Sequence, residues 1–261
     1  MKFIKRDFKK KPLQVLSYGG GVQSTAMIFL MIEGKLPIPD IIIHSDTGSE
    51  MPYTEDIILD MKILVENKLG IPFEIVTAKQ GKLHEAYFEK NAVPVVGIRS
   101  CTVNFKILPQ RRRIREIVGK GNGKLLAECW LGITTDESKR EVESNLKWIG
   151  NKFPLLELNY SRDDCIEINK KYNFEVKKSG CFVCPYGGKK WFIKLYQEHP
   201  DLFDICLELE KNYQKKYGKS HGLVPSLSNI ESLQIPSLFT FGGEIIQENE
   251  SNCSTGGGCF L

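Results

Sequence analysis

Apolar residues in the first half of the chain form short runs that alternate with longer, periodic segments. In Asp40-Ile-Ile-Ile-His44, the three consecutive isoleucines leave neither face of the strand polar. This is typical of strands in a parallel sheet that is covered on both faces. The longer segments repeat their apolar positions with helical spacing and end at glycine, as at Gly34 and Gly70. The predicted strands are residues 12–17, 40–44, 73–77 and 125–133, and the predicted helices are residues 22–33, 52–68 and 106–118.

This alternation predicts a doubly wound α/β domain with a mostly parallel sheet. After about residue 150 the pattern changes: 153–158 is predicted as a strand, 162–172 and 189–217 as helices, the second interrupted near Pro200. We therefore predict an α/β domain over residues 1–150. Residues 151–261 are predicted to form a helical, cysteine-containing extension with a flexible tail, packed on the same domain.

Composition and charge exclude several classes of protein. Apolar residues make up 41% of the chain, enough to bury a core, and the net charge of +4 is too small by itself to indicate a nucleic-acid partner. No run approaches the ~18 apolar residues of a membrane helix. The basic N-terminus is not followed by the apolar core of a secretory signal. These features predict a cytoplasmic protein with no membrane partner, whose eight cysteines are free for metal binding or chemistry.

A glycine-rich loop, Ser17-Tyr-Gly-Gly-Gly-Val-Gln-Ser24-Thr25, joins the first predicted strand to the first predicted helix. Glycines let the backbone turn sharply and approach a ligand closely. The helix that follows offers N–H groups and the positive end of its dipole, which suit a phosphate. The loop lacks the Gly-Lys-Ser/Thr ending of a Walker A motif. It predicts a phosphate site, and a tight turn without a ligand is the alternative.

This loop resembles the Ser-Gly-Gly-x-Asp-Ser loop of the PP-loop ATP pyrophosphatases. His44–Thr54, Arg99–Pro109 and Gly132–Arg140 resemble, in the same order, segments of the branch that holds the phosphoadenosine phosphosulfate (PAPS) reductases and the DndC-like DNA sulfur-modification enzymes. The resemblance implies an adenine nucleotide alpha hydrolase-like fold, with residues 1–150 as the nucleotide-binding domain. The nucleotide site that it implies consists of Ser17, Gly19, Gly20, Gly21, Gln23, Ser24, Asp46, Thr47 and Gly48.

The same resemblance implies ATP or another adenylyl nucleotide, with Mg²⁺, as cofactors. Asp46 would hold Mg²⁺ or position the loop, and an Asx turn that caps a helix is the alternative. Lys106 and Arg140 would neutralise phosphate charge. Gln23 stands where the family has aspartate, and Thr134 where many relatives have arginine.

A basic helix follows the second of these segments. Arg111, Arg112, Arg113 and Arg115 lie close together on it. They predict either a solvated face or a surface for the phosphates of a nucleic-acid substrate.

Four cysteines form the candidate metal site. Cys181 and Cys184 have the spacing of a zinc or iron–sulfur site. With Cys101 they resemble the cysteine set of the iron–sulfur adenylylsulfate reductases, and Cys165 is the candidate fourth ligand. A 4Fe-4S cluster is the leading prediction; a three-cysteine cluster with one open iron, a Zn²⁺ site and no metal are the alternatives. Cys129 and Cys206 have apolar neighbours and are predicted to lie in the core.

Cys253 and Cys259 flank the glycines of the tail. PAPS reductases carry a nucleophilic cysteine on such a tail, within a Glu-Cys-Gly-Leu-His motif that this chain lacks. The two thiols are predicted to be catalytic, with Lys106 and Arg140, either as a nucleophile or as a redox pair. A disordered end without a function is the alternative.

Three functions follow from these features. The leading one is an enzyme that adenylylates a substrate with ATP, releases pyrophosphate and lets a cysteine-bound or cluster-bound sulfur displace AMP. The second is a PAPS or adenylylsulfate reductase that uses a tail cysteine and thioredoxin. The third, which Gln23 favours, is a non-catalytic nucleotide-binding accessory subunit of a phage-defence or mobile-element complex. The predicted partners are an adenine nucleotide, a nucleic-acid substrate and a sulfur-donor protein or thioredoxin; a homodimer is left open.

Overall fold

The computed structural model describes residues 7–120, 123–176, 179–218 and 223 and contains a five-stranded parallel sheet. The strand order is β3-β2-β1-β4-β5. Every pair of neighbouring strands is parallel, so the predicted doubly wound α/β fold is confirmed. The strands are β1 (Leu13–Tyr18), β2 (Ile41–Asp46), β3 (Phe73–Thr77), β4 (Ala127–Trp130) and β5 (Ile149–Lys152).

Helices follow most of the strands, as a parallel sheet requires. A π-helical turn, Val103–Ile107, joins a short helix to a longer one, and 3-10 turns span Thr135–Arg140 and Pro185–Gly187. The helices are α1 (Val22–Ile32), α2 (Pro52–Lys68), α3 (Leu83–Glu89), α4 (Ser100–Thr102), α5 (Leu108–Val118), α6 (Pro154–Glu157), α7 (Arg162–Lys171), α8 (Gly188–Glu198) and α9 (Pro200–Tyr217). None of the described helices has both the length and the apolar character that crossing a bilayer requires.

The two faces of the sheet bury different side chains. On β1, Leu13 and Val15 belong to the apolar cluster that includes Ile114 of α5, whereas Leu16 and Tyr18 belong to the cluster of α1 and α2. This alternation follows from the two-residue period of a strand. Helix α1 is buried on nearly all sides, because it packs between the sheet and α7.

The structure differs from the sequence prediction in three elements. Residues 153–158 are not a strand; they contain α6, which Pro154 begins. The fifth strand is instead Ile149–Lys152, whose four residues bury one apolar side chain and so give no apolar run. Helix α3 was not predicted.

The chain divides into two compact units by its internal contacts. Among the described residues, unit 1 comprises 7–82 and 101–181, and unit 2 comprises 83–100 and the residues from 182 onward. Unit 1 holds the whole sheet, and α7 packs on α1 within it. In unit 2, α3 and α9 are joined by a hydrogen bond from Asn212 Nδ2 to the carbonyl oxygen of Phe88. The predicted boundary near residue 150 stays a prediction.

Candidate functional site

The candidate site lies where the strand order reverses, between β1 and β4. Open α/β sheets bind ligands at this point, outside the carboxyl ends of the strands. The loop after β4 here touches the first turn of α1, which follows β1. A Cβ atom placed on Gly132 would lie 3.1 Å from the backbone nitrogen of Ser24 and 3.2 Å from Cβ of Gln23. Gly132 therefore allows an approach of the two loops that a side chain would obstruct.

The glycine loop leads directly into α1. Gly20 has a φ of +68°, in the left-handed region that favours glycine, and a Cβ there would lie 3.2 Å from Thr54 Cγ2. Gly21 is the N-cap of α1, and no side chain caps the helix. The Ser24 hydroxyl donates to the Gly21 carbonyl (3.2 Å) and accepts from the Gly19 N–H (3.4 Å). These two hydrogen bonds connect the glycine loop to the first turn of α1. The N–H groups at such a helix N-terminus suit an anion.

Gln23 and Arg140, both predicted site residues, share one carboxylate. Arg140 Nη1 donates to Glu137 Oε1 at 2.5 Å, and Gln23 Nε2 donates to Glu137 Oε2 at 3.4 Å. The side chains of Arg140 and Glu137 are each 15% exposed. Arg140 Nε is buried and has no hydrogen-bond partner among the described residues. Glu137 therefore fixes Arg140 beside the first turn of α1 while one of its donors is still unused.

The loop after β2 carries the predicted Asp46, Thr47 and Gly48. Asp46 Oδ1 accepts from the Gly48 N–H at 2.6 Å, which is the Asx-type turn kept as the alternative to a magnesium ligand. Gly48 has a φ of +63°. Thr47 is buried, and its hydroxyl donates a hydrogen bond to the side chain of Glu50 instead of facing solvent.

Glu50 is a buried carboxylate that the sequence analysis did not select. Its Oε1 accepts from Thr47 Oγ1 at 3.0 Å and from Cys181 Sγ at 3.5 Å, and it lies 3.6 Å from Lys106 Nζ. Burial by itself raises the pKa of Glu50, but Lys106, His44, Thr47 and Cys181 outweigh burial and lower that pKa. Glu50 is therefore an ionised acceptor, and Cys181 donates to it as a thiol. The signal in the sequence was an acidic residue two positions before the Pro52 that begins α2.

His44, within β2, is a second buried polar side chain that the sequence analysis did not select. Its Nδ1 lies 2.9 Å from the carbonyl oxygen of Tyr18. Burial lowers the pKa of His44, so the ring is neutral near pH 7. Because a carbonyl only accepts, Nδ1 carries the proton, and the buried Nε2 is an acceptor without a partner among the described residues.

The four cysteines proposed as metal ligands have different surroundings. Cys181 belongs to the Glu50 cluster, while Cys101 in α4 and Cys184 before a 3-10 turn are half-buried. Cys165 lies in the apolar core against α1. Burial, with smaller contributions from Asp164 and Asp136, raises the pKa of the Cys165 thiol to about 12. Cys165 is thus an apolar core residue and does not fit the role of fourth ligand.

No group of three or more His, Cys, Asp or Glu side chains that could hold a metal ion occurs within the described residues. Cys129 and Cys206 are buried, as predicted. Cys253 and Cys259 lie outside the described residues.

The arginines of α5 do not form one solvent-facing patch. Arg112 donates to the Thr77 carbonyl at 2.7 Å, and Arg113 makes a two-pronged contact with Glu74 at 2.5 and 2.9 Å. Arg115 donates to the Gly119 carbonyl and lies 3.8 Å from the centre of the Trp148 ring. Three of these guanidinium groups therefore make contacts within unit 1. The fourth, that of Arg111, makes no hydrogen bond or ion pair with the described residues.

Comparisons with known proteins leave the family open. No family model matches the chain. An uncharacterized protein of Methanocaldococcus jannaschii is 22% identical over 211 residues, which are 76% of this chain and 47% of that protein. The chain thus spans about half the length of this relative. Among solved structures, the U34-tRNA thiolase NcsA from Methanococcus maripaludis, with its 4Fe-4S cluster, matches with a TM-score of 0.42 and 19% identity. The match covers 88% of this chain and 74% of that one.

Proposed function

We propose that the chain is a PP-loop enzyme of the PAPS reductase-like branch that binds ATP or another adenylyl nucleotide in unit 1. The observation that carries this proposal is the close approach of the loops after β1 and β4. Gly132 lets the β4 loop reach the first turn of α1, and this occurs at the strand-order reversal where such sheets take ligands. The resemblance of the glycine loop to the pyrophosphatase loop supports the same site.

Each part of this cleft has a role in the proposed binding. The glycine loop and the first turn of α1 provide N–H groups for the phosphates. Arg140, held by Glu137, offers its buried Nε and a positive charge. Mg²⁺ prefers oxygen ligands. Asp46, the last residue of β2, would hold the ion, which would neutralise phosphate charge, whereas both oxygens of Glu137 already accept from Arg140 and Gln23.

The proposed reaction has two steps. An oxygen of the acceptor attacks the α-phosphorus of ATP, and pyrophosphate leaves. A hydrosulfide ion then forms a C–S bond to the carbon that bears the adenylylated oxygen, the C–O bond breaks, and AMP leaves with that oxygen. The acceptor is proposed to be a nucleic acid, and the sulfur to come from a donor protein. Because the described residues contain no group of three metal ligands, we assign no step to an iron–sulfur cluster or to zinc.

Equilibrium dialysis with radiolabelled ATP and Mg²⁺ tests the nucleotide site. Arg140→Gln removes a charge-assisted hydrogen bond to the nucleotide and should weaken ATP binding at least about tenfold. Arg115→Gln is the matched control, because Arg115 lies on α5 and contacts the Trp148 ring and the Gly119 carbonyl instead. Wild-type protein that binds no ATP, or equal losses in the two variants, would contradict the proposal.

A second candidate function is the nucleotide-binding accessory subunit. The observation that favours it is Gln23, which places a neutral amide donor where the resembled loop has a carboxylate. An accessory subunit would bind ATP but release no pyrophosphate with any acceptor. A pyrophosphate-release assay with tRNA and with DNA therefore separates the two functions. The reductase that uses Cys253 or Cys259 stays a prediction, since both cysteines lie outside the described residues.

A further inference from the structure

We propose that a second pocket of unit 1 binds a small tetrahedral oxyanion, of the phosphate or sulfate class. The pocket lies on the α5 face of the sheet, whereas α1 and its glycine loop cover the other face. It has a volume of about 40 Å³. Its polar lining consists of Ser17, Lys106, Gln110, Arg111, Cys129 and Asn151.

Ser17 gives the first reason to expect a ligand. The resemblance assigned Ser17 to the nucleotide loop, but its side chain lines this pocket. The residue is only 3% exposed, and its hydroxyl has no hydrogen-bond partner among the described residues. A buried hydroxyl without a hydrogen-bond partner destabilises the ligand-free protein. A bound oxyanion would accept the hydrogen bond that Ser17 does not make within the protein.

Arg111 gives the second reason. Its guanidinium makes no ion pair or hydrogen bond with the described residues, unlike those of Arg112, Arg113 and Arg115. Burial lowers the pKa of Arg111, so its charge is partly removed from water. A partly buried cation is stabilised by an anion beside it, and a planar guanidinium fits two oxygens of one oxyanion.

The other titratable groups of the pocket leave it positively charged. Lys106 is a second cation, and it also lies 3.6 Å from Glu50. Burial raises the pKa of the Cys129 thiol to about 12, so this thiol is neutral. No carboxylate lines the pocket among the described residues. Two basic side chains, Lys106 and Arg111, therefore line a pocket without a carboxylate.

Size and shape limit the ligand to a small group. A water molecule needs about 10–15 Å³ on the same measure, so 40 Å³ holds about three waters. A tetrahedral group with four oxygens is of that size, and a nucleobase is not. The apolar walls lower the local dielectric constant and so strengthen the attraction of an anion to Arg111. These walls are Ile107, Ile114, Leu131 and Ile149.

Isothermal titration calorimetry of the whole chain with sodium sulfate and sodium phosphate, at ionic strength matched with sodium chloride, tests the proposal. We expect wild-type protein to bind at least one of these ions. Arg111→Gln should weaken binding at least about tenfold, and Ser17→Ala about fivefold. Arg112→Gln is the matched control and should bind as wild type, because Arg112 contacts the Thr77 carbonyl instead.

Further measurements separate this pocket from the nucleotide cleft and from misfolding. Arg140→Gln should retain inorganic oxyanion binding, so the two proposals can fail independently. Ser17→Ala removes an unpartnered hydroxyl and should not lower the unfolding temperature of the ligand-free protein. If Arg111→Gln and Ser17→Ala weaken the binding of ATP while the wild-type protein binds no inorganic ion, the oxyanion is the terminal phosphate of a nucleotide. If neither variant changes binding of inorganic ions or of ATP, the proposal is wrong.

Discussion

At the scale of single residues, Gly48 shows how backbone conformation fixes the loop after β2. Its φ of +63° is unfavourable for any side chain by about 1–2 kcal/mol. A Cβ at Gly48 would also lie 2.5 Å from Cγ and 2.9 Å from Cβ of Lys82. The glycine therefore serves both the turn that Asp46 closes and the close approach of Lys82.

Gly48→Ala should destabilise the protein more than the same substitution at Gly70. Gly70 has nearly the same φ, +64°, but a Cβ there meets nothing within 4 Å. Both variants have the same backbone strain, and only Gly48→Ala adds a clash with Lys82. We expect this clash to lower the free energy of unfolding by a further ~1–3 kcal/mol, the cost of overpacking. Urea unfolding of the two variants measures the difference. Equal losses would show that Lys82 moves away freely.

Cys165 is a second case in which surroundings decide a residue's role. Cys165→Ser places a hydroxyl in the apolar core, and we expect it to lower the free energy of unfolding by about 1–3 kcal/mol. Iron and zinc contents, measured after anaerobic purification, should be unchanged. Loss of metal with unaltered stability would instead restore Cys165 as a ligand. Cys206→Ser, also in a core and outside the proposed ligand set, is the control.

At the scale of elements, the contact between α1 and α7 holds the helix that ends the glycine loop. Phe29 of α1 stacks on Tyr172, which follows α7, at 4.2 Å between ring centres. Glu33, at the end of α1, accepts from Lys171 at 2.5 Å and lies 2.8 Å from Lys35. Hydrogen bonds from these two lysines lower the pKa of Glu33 to about 2. An aromatic stack and a carboxylate thus join the two helices.

Glu33→Gln should reduce stability near pH 7 by about 1 kcal/mol, a modest value because both lysines are largely exposed. The folded pKa is below the unfolded value of 4.5. The stabilisation is therefore fully present above pH 4.5 and is lost as pH falls toward about 2. Chemical unfolding between pH 7 and pH 3 measures this. The difference between wild type and variant should shrink at the acid end; a constant difference would contradict the assignment to Glu33.

The matched control for this change is Glu167→Gln. Glu167 pairs with Lys170 on the same helix, and both side chains are more than half exposed. We expect no more than a few tenths of a kcal/mol from its loss. An equal loss of stability in the two variants would mean that the Glu33 contact between α1 and α7 stabilises the protein no more than an ordinary surface ion pair does.

At the scale of the whole molecule, the two proposed sites belong to opposite faces of the sheet, one beside α1 and the other beside α5. The chain passes from β1 to β2 through α1 and from β3 to β4 through α5, and these two helices cover different faces of the sheet. Successive side chains of a strand point to opposite faces, so Tyr18 lies in the cluster of α1 and α2 while Ser17 lines the pocket beside α5. Unit 1 contains both proposed sites, so sulfate titration and ATP dialysis on the intact chain examine two separate surfaces of the same sheet.

The sequence by itself determined the sheet, its main helices and the position of the glycine loop. Apolar runs and helical periods are local signals, and they placed α2 and β3 at their observed bounds. The alternation of strands and helices then fixed the α/β class, because a parallel strand needs a crossover. Short β5 was missed, since an edge strand that buries only Ile149 carries no such signal.

Only the tertiary structure decided what the polar and cysteine side chains contact. It joined Gln23 to Arg140 through Glu137 and placed Glu50 beside Cys181, across long separations in sequence. It also buried Cys165 and divided the arginines of α5 among different partners. The physical reason is that burial and charge pairing depend on which elements pack together. A local pattern records the residue types but not the neighbours that set their ionisation and their chemistry.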